Sequence, residues 1–276
     1  MRKLVSKESS VVPLFCVLWM IMLFLHLHFC FSITAAACIQ KEREALLQFK
    51  NSFYKDPSHR LASWNNGTDC CNWKGVGCSQ ITGHVTIIDL RYDYQVNFYD
   101  DSSPLYSNNS IDSSLLELKY LNYLDLSGND FEYTQISSFL GTMVELTYLN
   151  LSGASFGGKV PPHLGNLTKL DVLDLSSNYQ LQTNNDDVEW ISRLSSLQFL
   201  WLSSMDFSRA PNLMQILSSL PILSSLRLGS CKLQNIHFSF SSLNYSSFLS
   251  RVQVLDLFNN QLSCSTPKAF QNICLL

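Results

Sequence analysis

The chain has 276 residues, with 19 Lys and Arg against 22 Asp and Glu for a formal net charge of −3. That balance excludes the concentrated basic surface a nucleic-acid partner asks for. Charged residues make up 15% of the chain, below the ~25% of ordinary soluble domains. Uncharged Ser and Asn fill the gap, which suits an extracellular, glycan-covered surface.

Arg2 and Lys3 precede an apolar run from Val11 to Phe31, and Ala35, Ala36 and Ala37 supply small residues before Cys38. This order predicts a secretory signal peptide over residues 1–37, cleaved at or near Ala37. The run is long enough to span a bilayer as an uncleaved anchor, but Pro13, His26 and His28 interrupt it. Either way the remainder is exported. Without Arg2, Lys3, Lys7 and Glu8 its net charge is about −5.

Seven cysteines follow: Cys38, Cys70, Cys71, Cys78, Cys231, Cys264 and Cys274. In an oxidising compartment the first four read as two disulfides. Adjacent Cys70 and Cys71 rarely bond to each other, which leaves Cys38–Cys70 with Cys71–Cys78 or the crossed alternative. A zinc site would ask for C-x2-C spacing, which is missing. Ala45, Leu46, Phe49 and Phe53 share one helical face. Lys41, Glu42, Arg43 and Glu44 open that helix as solvated charge, and Asp56-Pro57 ends it. Leu61, Trp64 and Trp73 are then free to cover an apolar surface. These features predict a capping unit over residues 38–84.

From residue 85 onward leucines recur in the frame L-x-x-L-x-x-L-x-L. The anchors Leu124, Leu149, Leu173, Leu200, Leu226 and Leu255 are 25, 24, 27, 26 and 29 residues apart. Self-similarity at this period predicts an α/β solenoid, a leucine-rich repeat horseshoe with a parallel β-sheet on its concave face. Residues 85–276 hold about six to seven repeats, the last incomplete. Each x-L-x-L core is a short strand whose leucines point inward while the residues between them point out. An open apolar end needs a cap, the role given to residues 38–84. Asn129, Asn178 and Asn260 fall where an amide can bond the turn after each strand. Ala154, Met205 and Cys231 hold the equivalent places, with Cys231 a weak donor, and the Ala154 and Met205 repeats are expected to be irregular. Phe156-Gly157-Gly158-Lys159-Val160-Pro161 fits a flank segment L-x-G-x-I-P, which the other repeats lack in clean form, leaving a second flanking strand in doubt. Residues 92–114 read as an eroded repeat with a surface loop.

The run Ala45-Leu46-Leu47, Phe49-Lys50, Asp56-Pro57, Leu61, Trp64, Asp69-Cys70-Cys71, Trp73, Gly75-Val76 and Cys78 resembles the N-terminal cap of plant extracellular leucine-rich repeat proteins. The repeats resemble those of plant receptor-like proteins of the fungal-elicitor-receptor type. The resemblance implies pairing of Cys38 with Cys70 and of Cys71 with Cys78. It further implies perception of a protein or peptide ligand of microbial origin at the cell surface, with signalling passed to a co-receptor kinase.

Sequons begin at Asn66, Asn108, Asn150, Asn166 and Asn244; Asn150 lies within a strand, where a sugar would obstruct the concave face. No catalytic constellation is legible: His59, His84, His163 and His237 are scattered, and neither metal nor cofactor is expected. The acidic row Asp89, Asp125, Asp174 and Asp256 reads as polar side chains facing water. The candidate binding site is the concave face, with Tyr123, Asp125, Tyr148, Asp174, Phe199, Trp201 and Arg227, because aromatic and Arg side chains anchor interfaces.

The chain ends at Leu276 within what reads as a further repeat, with no kinase and no membrane span after residue 37. Attachment to a membrane would come from a C-terminal region or an uncleaved signal. Two other readings are a secreted polygalacturonase-inhibitor-like protein, against which the irregular repeat lengths speak, and a nonfunctional receptor fragment.

Overall fold

The computed structural model describes Trp19 and residues 36–92, 103–183, 188–238 and 245–263. The rest of the leader, Asn244, Cys264 and Cys274 lie outside these.

The cap begins with α1, Gln40–Asn51, which buries Ala45, Leu46 and Phe49 on one face. It ends at Asn51 rather than at Asp56-Pro57, because the Ser52 N–H already closes back on the Phe49 carbonyl. A second departure concerns Glu42. It is buried, not solvated; its carboxylate accepts from the Val85 N–H at 2.7 Å and meets His84 Nδ1 at 2.7 Å. A charge in the first helical turn thus satisfies the opening amide of the first repeat. Cys38 is bonded to Cys70 and Cys71 to Cys78, with Cα separations of 5.6 and 5.4 Å. These bonds consume the thiols of the only metal-like cluster among the described residues. Trp64 and Trp73 stack at 5.5 Å inside the continuous core.

The cap joins the sheet through β1, Val76–Cys78, which pairs antiparallel with β2, Val85–Asp89. Gly75 permits this junction: its φ of 80° is left-handed, and a Cβ there would collide with the Asp89 carbonyl. Parallel pairing then runs from β2 to β3 (Tyr123–Asp125), β4 (Tyr148–Asn150), β6 (Val172–Asp174), β8 (Phe199–Trp201), β9 (Ser225–Arg227) and β10 (Val254–Asp256). Ile88, Leu124, Leu149, Leu173, Leu200, Leu226 and Leu255 face one another in register across this sheet. A buried Leu contributes about 1.5–3 kcal/mol, and Leu118, Leu121, Leu124 and Leu126 show how one repeat buries four.

Behind the strands the L-x-x-L spacing closes short 3-10 turns, in which the Leu118, Met143, Leu167 and Leu194 N–H groups bond carbonyls three residues back. The intervals before Leu226 and Leu255 place helices there instead: α2, Leu213–Ser219, and α3, Tyr245–Arg251. Extra length is absorbed behind the sheet, so strand register survives a variable period.

Side-chain amides, buried at Asn129 and Asn178 and half-buried at Asn260, hold successive turns together. Asn129 Nδ2 donates to the Leu90 and Leu126 carbonyls, Asn178 to those of Leu151 and Leu175, and Asn260 to those of Leu228 and Leu257. The Cys231 thiol donates to Leu202 O at 3.3 Å in the corresponding place. It is unpaired and buried, and burial pushes it up to about 12. The irregularity expected near Ala154 and Met205 does not reach the sheet, whose register runs unbroken through both repeats. Asn178 of the next repeat holds the Ala154 turn from outside, accepting from Phe156 N at 2.9 Å.

The flank is more ordered than the sequence suggested. β5, Gly157–Lys159, pairs with β7, Gln180–Gln182, and single bridges link Gln135 to Gly157 and Gln182 to Asp206. The described part of the expected surface loop is also packed: Leu105 and Ile111 are buried and Tyr106 bridges both Lys55 and Asp130. Arg60 takes part in the same closure, donating to Asn129 Oδ1 and to the Leu90 and Arg91 carbonyls.

Glu42→Ala leaves the Val85 N–H without its acceptor in a buried setting. The expected cost is about 1–3 kcal/mol, or roughly 2–4 °C in Tm for each kcal/mol. Calorimetry of the secreted protein checks this, and an unchanged Tm would contradict the latch.

Candidate functional site

Strand alternation sorts the outward side chains into rows. Ile87, Tyr123, Tyr148, Val172, Phe199, Ser225 and Val254 form the first, and Asp89, Asp125, Asn150, Asp174, Trp201, Arg227 and Asp256 the second. Neighbours in a row stand about 4.8 Å apart, the spacing of paired strands.

Two aromatic clusters lie on these rows. Tyr123 and Tyr148 stack at 4.1 Å with an interplanar angle of 9°. Phe199 meets Trp201 edge to face at 6.2 Å, and the Arg227 guanidinium lies 4.7 Å over the Trp201 ring. Trp201 Nε1 donates to Ser225 Oγ at 3.1 Å, which fixes the ring plane. These aromatics are half-buried rather than fully exposed, because each lies against its neighbour along the sheet. Arg227 is exposed and, among the described residues, has no ion pair.

The second row corrects the expectation that its carboxylates face water. Asp125 is fully buried and Asp174 nearly so. Asp125 accepts from the Ser127 N–H and hydroxyl, from Tyr148 OH at 3.2 Å and from Asn150 Nδ2 at 3.1 Å. Asp174 accepts from the Ser176 N–H at 2.8 Å, and burial raises its carboxyl above the usual range against the pull of Ser176 and Ser152. Burial, then the Asp125 charge, raises the Tyr148 phenol, which stays protonated and donates. Asp125 and Asp174 therefore shape the turns and orient the tyrosine instead of presenting a free charge.

A trough of about 660 Å³ runs along the strand ends. Its floor is small, with Ser127, Gly128, Ser152, Gly153 and Ser176, and its ends carry Arg91 and the Trp201–Arg227 pair. Gly128 is required here: at φ 72° a Cβ would strike the Tyr92 carbonyl. Arg91 was missed from the sequence. It pairs with Asp89 and donates to Tyr123 OH at 3.2 Å, so its charge is directed along the first aromatic cluster. Its signal was register: Arg91 holds the place that Ser127, Ser152, Ser176 and Ser203 hold in later repeats.

Of the sequons, Asn66, Asn108 and Asn166 are exposed, whereas the Asn150 amide is engaged by Asp125 and Tyr148. The His84 ring lies tilted against that of Tyr120 at 4.1 Å, and buried His237 meets the Phe207 carbonyl through Nε2 at 2.9 Å. His84 and His237 thus hold structure at separate places, while His59 and His163 are exposed.

Residues 39–79 match the leucine rich repeat N-terminal domain family, and residues 145–167 and 251–273 match the Leucine Rich Repeat family. Receptor-like protein EIX1 of Solanum lycopersicum is 40% identical over 89% of this chain and 24% of its own length. Receptor-like protein Cf-9 of Solanum pimpinellifolium is 35% identical over 62% of this chain and 21% of its own. The chain thus spans about a quarter of the length of such relatives. Among solved structures, a plant ice-binding protein matches with a TM-score of 0.63 at 21% identity, covering 82% of this chain and 73% of that one. A chain of the BIR3–SERK2 complex from Arabidopsis thaliana matches with a TM-score of 0.50 at 28% identity, covering 68% and 98%. The sequence relatives named are receptor-like proteins. Cap, repeat register and sequence identity together place the chain among the plant leucine-rich repeat receptor-like proteins.

Proposed function

We propose that this chain is the extracellular recognition module of a cell-surface receptor-like protein, reading a protein or peptide ligand in defence or peptide perception. The observation that carries this is the concave trough, whose rigid walls hold the Trp201–Arg227 stack at one end and Arg91 with Tyr123 at the other. Aromatic and Arg anchors over a small-residue floor suit an extended chain, with the rings held by neighbours so that little side-chain freedom is lost on binding. Similarity to receptor-like proteins supports the reading. The match to the BIR3–SERK2 complex supports a second protein on such an arc, here a partner kinase that carries the signal. In this reading residues 1–37 are removed on export, 38–84 cap the solenoid, 85–276 carry repeats, and the ligand is a microbial product met outside the cell.

A random peptide display library panned on the secreted protein should enrich binders whose affinity falls about tenfold in Trp201→Ala, a loss of ~1.4 kcal/mol, with Tm unchanged. Equal affinity for the variant would remove the concave face from the reading. Glycopeptide mapping of plant-secreted protein is expected to find sugar on Asn66, Asn108 and Asn166 and none on Asn150, whose nitrogen faces Asp125. A glycan on Asn150 would mean that the trough is obstructed.

A further inference from the structure

A second pocket, of about 750 Å³, lies on the flank beside β7, across three successive repeats and apart from the trough. Its lining is hydroxyl, amide and charge, and its one aliphatic side chain, Leu181, is buried in the core beneath. An apolar ligand would leave those polar groups unpaired, which costs free energy. The volume falls in the range of small-molecule sites.

Three features define what fits. The Tyr179 ring is 76% exposed, with no ring or hydrogen-bond partner among the described residues, so an apolar face stands open beside a polar wall. Arg209 is exposed and has neither ion pair nor hydrogen bond among the described residues, so an uncommitted cation lines the same pocket. Asp206 is committed: it accepts from Ser208 and pairs with Lys232 at 2.5 Å. Its partial burial works against ionisation, but Lys232 and Ser208 hold it down at about 2. The Asp206–Lys232 pair therefore offers both an acceptor and a donor, with Gln182 alongside, while Arg209 gives the described lining a net positive charge.

We propose that this flank pocket binds an acidic oligosaccharide, with a sugar ring stacked on Tyr179 and a uronate carboxylate on Arg209. A pyranose has an apolar C–H face and a rim of hydroxyls, which matches an aromatic ring set beside amide and charged groups. Arg is the side chain best shaped for a carboxylate, through two parallel N–H donors. The site does not depend on the trough, and the two readings fail separately.

Isothermal titration of the secreted protein with hexameric oligogalacturonate tests it, with cellohexaose as the neutral control and polyglutamate as the charge control. The expected result is saturable binding of oligogalacturonate, weakened about tenfold in each of Tyr179→Ala and Arg209→Gln and unchanged in Trp201→Ala. Both variants replace exposed side chains, and an unchanged Tm verifies their folding. Absence of binding, equal affinity in the two flank variants, equal binding of cellohexaose or equal binding of polyglutamate would each overturn the proposal.

Discussion

In-register stacking of strand leucines is the constraint on which everything else depends. A single repeat has three paired residues in its strand and no closed core of its own. Amides in and just after its strand find acceptors in the repeats on either side: Tyr148 N–H bonds Asn122 O behind it, while Leu151 N–H bonds Asp174 O, Leu175 bonds Trp201 O and Leu202 bonds Arg227 O ahead. Buried backbone groups must be paired, so each repeat is completed by its neighbour and stability propagates along the array. The cap satisfies the same demand at the first strand, where Glu42 and β1 take the place of a preceding repeat.

That constraint frees the outward positions. With the leucines fixed, every second strand residue is held at a known height and spacing whatever its chemistry, so the surface varies without loss of fold. The second row shows the limit of this freedom. Asp125 and Asp174 face outward by register yet are drawn under their neighbours by the Ser two residues on, by Tyr148 and by Asn150. Outward-pointing is therefore not the same as available. What remains available is concentrated at Arg227, Trp201 and Arg91 on the trough and at Tyr179 and Arg209 on the flank.

The strands were legible because a leucine period is a direct imprint of stacking; each anchor Leu meets the next in the predicted register. The cap was legible through its cysteines and tryptophans. Glu42 was not, because a charge at the start of a helix usually faces water, and only the three-dimensional approach of Val85 gives it a buried task. Leu105 and Ile111 were hidden in a polar stretch with no period, yet that stretch bridges to the cap through Tyr106 and both side chains join the core. Arg60 was invisible for the same reason, since its partners come from segments about 30 or more residues away, as does the Tyr123 hydroxyl that Arg91 meets. The thiol of Cys231 was anticipated as a donor and holds that place, with Leu202 O as its acceptor.

Native-state hydrogen exchange read residue by residue tests the stacking most directly. The amides of Leu151, Leu175 and Leu202, each bonded across a repeat boundary, should exchange only through cooperative opening and share similar, high protection. Protection at these amides no greater than at the exposed turns behind the sheet would contradict a stacked array and everything built upon it.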